Sequence, residues 1–150
     1  MRLAIPPVLQ VALALLAMWG CKLLKPFPPF AFPGQGIVAL VLAVVGIGII
    51  AFAVGLFSQA KTTVDPRSPE KGAALVTRGV YGFTRNPMYL AMAFGLLGMA
   101  IWTGQYLNFL IVAAFVWFMT RYQIKPEEEF LRARYGEQFR EYENRVRRWL

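Results

Sequence analysis

Long uncharged runs alternate with short blocks of charge along this chain, and that alternation predicts its elements. Residues 3–24 form an apolar stretch with Pro6 and Pro7 in its first turn, where proline is tolerated. The run is too long for the core of a signal peptide and no small-residue cleavage site ends it, so it reads as a first membrane helix. Lys22 and Lys25 then fall where they reach the headgroups. Residues 26–36 (PFPPFAFPGQG) are too rich in proline and glycine to be helical throughout, and predict a connection lying in the interface. Residues 37–57 predict a second helix, long enough for a hydrocarbon layer of about 30 Å. Its Gly46, Gly48 and Gly55 suit either close helix packing or the approach of a ligand to the backbone.

Residues 58–85 form a polar connection that Pro66 and Pro69 interrupt. It sets Lys61, Arg67, Lys71, Arg78 and Arg85 against Asp65 and Glu70, and the positive-inside rule puts it in the cytoplasm. From 86 to 120 nothing is charged, but Thr103-Gly104-Gln105 breaks the run. A single helix through it would measure about 50 Å, so two antiparallel arms are expected, 87–102 and 106–121, each about 24 Å long. Pro87 suits a first helical position, while Trp102 and Tyr106 mark the far interface.

Charge returns from 121 onward. In the tail, Leu131, Tyr135, Phe139, Tyr142, Val146 and Trp149 recur every three or four residues, with Gly136 expected to separate two helical pieces. The apolar stripe is expected on the membrane surface or on the helix ends. Four spans put both termini and both charge-rich segments on the cytoplasmic side, and the expected location is the cell inner membrane.

Composition narrows the chemistry. At 57% hydrophobic and 16% charged, the 150 residues are too apolar for an ordinary soluble domain and fit one all-α, multi-pass membrane domain, 1–150. The net charge of +8 is not gathered into a compact basic domain, so the partner it favours is anionic lipid and not nucleic acid. With no histidine and one cysteine, the chain has no serine–histidine triad, no disulfide of its own and no cysteine or histidine metal set. Oligomeric state is not readable.

The hairpin gathers polar groups at one mouth: Tyr81, Arg85, Asn86 and Tyr89 at its entry, Arg121 and Gln123 at its exit, and Glu127, Glu128 and Glu129 just beyond. Singly, each has a plain structural explanation: an interfacial arginine, acid at a helix start, a packing tyrosine. Together they suit a zwitterionic ligand with a sulfonium centre, through a guanidinium for its carboxylate, carboxylates for its ammonium and hydroxyls, and an aromatic face.

Gly79-x-Tyr81-x-x-x-Arg85-Asn86-Pro87-x-Tyr89 is followed by Glu127-Glu128-x-x-Leu131 and Tyr135-Gly136-x-x-Phe139-x-x-Tyr142. In this order around a hairpin, these motifs resemble the signatures of the isoprenylcysteine carboxyl methyltransferases and phospholipid N-methyltransferases. The resemblance covers about half the chain, from near Lys61 onward. It implies S-adenosylmethionine as cofactor, held by Tyr81, Arg85, Asn86, Pro87, Tyr89, Glu127 and Glu128, with Arg85 and Glu128 as the catalytic pair. It also implies methyl transfer at the cytoplasmic face to a lipid or lipid-modified acceptor, either a prenylcysteine-like carboxylate or a phospholipid-type amine. Gly46-x-Gly48 is a weak counterpart of a Gly-x-Gly that contributes in the phospholipid enzymes. The prenylcysteine enzymes usually carry histidine where Asn86 stands, which tilts the reading away from strict prenylcysteine methylation. Two other readings stay open, a non-catalytic scaffold or transporter subunit and a reductase resembling the sterol reductases.

Overall fold

The structure, a computed structural model, describes residues 5–59 and 75–150. Lys61, Asp65, Pro66, Arg67, Pro69, Glu70 and Lys71, like the helix start expected at residue 3, lie outside the described residues. Among the described residues every regular element is helical. Helix α1 spans Pro7–Leu24 and α2 Gln35–Gln59, and a short 3-10 turn at Gly79–Gly82 leads to α3, Pro87–Thr103. Then come α4 (Tyr106–Met119), a π-helical turn (Thr120–Ile124), α5 (Lys125–Tyr135) and α6 (Glu137–Arg145).

Proline sets two of the starts. Pro6 is extended and Pro7 is the first helical residue of α1, so only one of the two prolines joins the helix. Pro87 opens α3 in the same way, as its sequence position suggested. The end of α4 differs from expectation. The second arm does not stop at residue 121; it continues through the π turn as one 30-residue helix, Tyr106–Tyr135. At about 1.5 Å per residue this is about 45 Å, so it crosses an apolar layer and projects beyond it. The Lys125 amide reaches back five residues to the Thr120 carbonyl. Because that register slip comes just ahead of Pro126, the missing proline N–H does not end the helix.

Among the described residues three helices are long and apolar enough to cross a membrane (Pro7–Leu24, Gln35–Leu56 and Tyr106–Tyr135), with α3 a shorter apolar fourth. Leu16, Leu40, Ile47, Phe52, Leu110 and Trp117 are exposed on their outer faces, as expected of helices bathed in lipid. This is an integral membrane protein. Inside the bundle, Met18 of α1 meets Leu96 and Ala100 of α3 and Phe115 and Met119 of α4. Helices α2 and α3 approach most closely where glycine faces backbone: a Cβ on Gly46 would lie 3.0 Å from the Ala91 carbonyl oxygen, and one on Gly98 3.0 Å from that of Ala39. Gly46 therefore serves packing. Gly48 has nothing within 4 Å of an added Cβ.

At the hairpin turn Gly104 adopts φ 68° and caps α3. The Phe30 amide donates to the Gly104 carbonyl at 2.9 Å, and the Phe30 ring packs on Tyr106 and Phe109. The proline-rich connection thus lies over the turn and buries Thr103, Gln105 and Asn108.

At the opposite end the tail folds back over the helix ends. Gly136, with φ 53°, separates α5 from α6 as expected. Phe139, Tyr142 and Val146 form a small core with Leu75, Leu131 and Tyr135, while Trp149 packs against the main core. Of the two places expected for the stripe, its residues occupy the helix ends. Fully burying a side chain such as Phe139 stabilises by about 1.5–3 kcal/mol, enough to hold so short a helix in place.

Candidate functional site

The site is built where the entry of α3, the start of α5 and the last residues of the chain converge. Residues 146–150 run past α3 as a strap. The Arg147 carbonyl accepts from the Arg85 amide at 3.0 Å. The Arg148 carbonyl accepts from Thr84 Oγ1 at 3.2 Å and Asn86 Nδ2 at 2.9 Å. Trp149 Nε1 donates to Thr120 Oγ1 at 3.0 Å, pinning the strap to the π turn. Tyr142 donates its hydroxyl to the Tyr81 carbonyl at 2.7 Å, tying α6 to the 3-10 turn.

Under the strap lies a network of charge. Arg85 Nη2 sits 3.0 Å from Glu128 Oε1 and its Nη1 2.9 Å from Glu143 Oε1. Arg148 takes Glu128 with two donors, Nε at 3.0 Å and Nη2 at 2.6 Å. Arg132 holds Glu143 in the same forked way, at 2.8 and 2.6 Å, and comes within 3.8 Å of Glu128. Glu128 is 3% exposed, so three guanidiniums surround one buried carboxylate. Burial lowers the Arg85 guanidinium below its usual value while Glu128 pulls the other way, and Arg148 is raised by its hydrogen bonds to Glu128. Desolvation raises the Tyr81 and Tyr142 phenols well above their ordinary range, so both stay neutral.

Glu127, one residue away, has different company. It accepts from the Tyr89 hydroxyl at 2.7 Å and from the Gln123 side-chain amide. Both donors are neutral. Two buried polar atoms nearby, Arg85 Nε and Gln123 Oε1, have no hydrogen-bond partner among the described residues.

Of the residues singled out from sequence, the fold brings together Tyr81, Arg85, Asn86, Pro87, Tyr89, Gln123, Glu127 and Glu128. Arg121 and Glu129 do not join them: both are exposed, and Arg121 rests on the Tyr122 ring, 5.9 Å from its centroid. Arg85 and Glu128, expected as the catalytic pair, lie within 3.0 Å of each other. Sequence reasoning missed Arg132, Glu143 and Arg148. The only hint was Trp149, an aromatic residue in a basic terminus that had to be buried somewhere.

A model of the phospholipid methyltransferase family matches residues 35–138, more than half of the chain and all of the hairpin. The chain belongs to the phospholipid methyltransferase family. An uncharacterized protein of Haemophilus influenzae is 38% identical over 63 residues, which is 42% of this chain and that protein's whole length. A protein-S-isoprenylcysteine O-methyltransferase of Schizosaccharomyces pombe is 28% identical over 76 residues, 51% of this chain but 32% of that enzyme. The chain thus matches about a third of that enzyme's length. No solved structure matches. Family and relative together support a membrane methyltransferase.

Proposed function

We propose that this protein transfers the methyl group of S-adenosylmethionine to a lipophilic acceptor held in the bilayer, at the cytoplasmic face of the inner membrane. One observation carries the reading: two motifs far apart in sequence meet at one mouth, Tyr89 on Glu127 and Arg85 on Glu128. The cofactor fits what the site leaves open. The unpaired Arg85 Nε is a cationic donor for a carboxylate, the unpaired Gln123 Oε1 an acceptor for an ammonium or a ribose hydroxyl, and Glu127 a negative charge.

When bound, S-adenosylmethionine supplies a methyl already activated by its sulfonium, so the protein need only align reactants and exclude water. Arg85, fixed by two carboxylates, orients the donor. Asn86 and Thr84 tie the α3 entry to the strap, and the Tyr89 hydroxyl fixes Glu127. A carboxylate acceptor needs no base and an amine only the loss of a proton, which agrees with a chain lacking histidine. The acceptor's apolar tail stays in lipid beside the helices. The two charge-rich segments of the chain support the cytoplasmic orientation.

Isothermal titration of detergent-solubilised protein with S-adenosylhomocysteine tests the reading. Wild type should bind it. Arg85→Lys, which keeps the charge but loses the Nε donor and the planar fork, should bind it about ten- to a hundredfold more weakly. A wild-type protein that binds neither this compound nor S-adenosylmethionine would leave a non-catalytic membrane protein as the better account.

A further inference from the structure

We infer that the adjacent glutamates divide the work: Glu127 is the carboxylate that meets the positive charge of the bound methyl donor, and Glu128 is a positioning residue locked in a clamp that Arg148 closes. The inference rests on the proposed cofactor site and assigns roles within it.

The two side chains differ in what they have left to offer. Glu128 is already engaged by Arg85 at 3.0 Å and by both Nε and Nη2 of Arg148, with Arg132 at 3.8 Å. A carboxylate has about four acceptor positions. An ammonium arriving at Glu128 would have to displace a forked guanidinium from a buried site, exchanging one charge-assisted contact for another of the same kind. Glu127 makes no ion pair among the described residues, and its partners are a phenol and an amide. Both are neutral donors that hold the carboxylate in place and leave its charge uncompensated. A half-buried carboxylate without a cationic partner carries part of the cost of burying a charge, and an incoming organic cation relieves it. Gln123 supplies a second, independent sign of a missing ligand. It is 9% exposed, its amide nitrogen is spent on Glu127, and its Oε1 is unpaired. An ammonium beside Glu127 has donors to spare for such an acceptor.

Arg148 then acts through Glu128. It comes from the strap, whose backbone already ties Thr84, Arg85 and Asn86, and its guanidinium fixes the carboxylate that fixes Arg85. The clamp sets the position of Arg85 and the α3 entry without touching the cofactor.

Three ligands separate these roles. S-adenosylmethionine carries a sulfonium and an ammonium, S-adenosylhomocysteine only the ammonium, and methylthioadenosine neither. Binding of each to detergent-solubilised wild type, Glu127→Gln, Glu127→Asp and Glu128→Gln is measured by titration calorimetry, with thermal unfolding of each ligand-free protein. Glu127→Gln keeps shape and loses charge. It should bind the two cationic ligands about ten- to a hundredfold more weakly and methylthioadenosine as well as wild type does, with an unchanged or higher unfolding temperature. Glu127→Asp, which keeps the charge, should recover part of that loss. Glu128→Gln should lower the unfolding temperature and, by loosening the α3 entry as well as Arg85, weaken methylthioadenosine too, though less than the two ligands that carry a carboxylate. Equal losses for charged and neutral ligands in Glu127→Gln, or no loss for any, would overturn the division of roles. A wild-type protein that binds none of the three overturns instead the cofactor reading beneath it.

Discussion

Replacing Arg148 with methionine isolates what the strap contributes. Methionine retains the apolar stem, leaves the backbone carbonyl free to accept from Thr84 and Asn86, and removes the two donors to Glu128 at 3.0 and 2.6 Å. Stranding a buried charge with no partner costs about 3–5 kcal/mol. Here Glu128 keeps Arg85 at 3.0 Å, so the loss is nearer that of a charge-assisted hydrogen bond, about 1.5–3 kcal/mol. Arg148 is itself about a third exposed, and solvent screening brings the figure toward about 2 kcal/mol. That energy belongs to opening the strap, not to unfolding the bundle. A change of about 2 kcal/mol raises the open population about thirtyfold. Arg145 and Arg147 are exposed tryptic sites within or beside the strap, and Arg140 on α6 is an internal control. With reclosing faster than cleavage, limited trypsin digestion of Arg148→Met should cut at Arg147 about thirtyfold faster than in wild type, with cleavage at Arg140 unchanged. Equal rates at Arg147 in the two proteins would mean that the forked pair does not hold the strap, and the clamp would lose its closing element.

Two further outcomes follow from the frame that carries the site. Gly46→Leu should destabilise by about 1–3 kcal/mol, because its Cβ would start 3.0 Å from the Ala91 carbonyl oxygen on a helix that cannot yield, whereas Gly48→Leu should be neutral or stabilising; paired thermal unfolding in detergent checks both. In a protein whose native cysteine is replaced by serine, a cysteine at exposed Tyr106 should react with an impermeant maleimide on intact cells and one at exposed Gly82 should not; the reverse pattern would invert the proposed orientation.

The bundle was largely legible because its evidence is local. An uncharged run of fixed length, a proline at a first helical position and a Thr-Gly-Gln break each act within one turn of chain, and α1, α2 and the hairpin sit within a few residues of where these signals put them. The exit of α4 was not legible. Charge returning at Arg121 read as the end of a helix, yet the Lys125 amide reaches back to Thr120 and the helix runs on to Tyr135. A π turn leaves no compositional trace, since it is a change in which carbonyl a given amide chooses.

The same turn also bears on the acidic pair. Neighbouring residues on a helix point about 100° apart, so Glu127 and Glu128 cannot share a partner even though their sequence positions make them look interchangeable. Which of the two faces the α3 entry depends on the phase with which α5 leaves the π turn, and that phase is fixed by Trp149 on Thr120 and by Gln123 on Glu127. Glu127 then meets Tyr89, while Glu128 meets Arg85 and, from the far end of the chain, Arg148. Every one of the contacts to α3 joins residues nearly forty or more positions apart. Motif spacing reports which residues arrive at the mouth; the strap, coming back from the last few residues, adds the Arg148 guanidinium that Glu128 meets there.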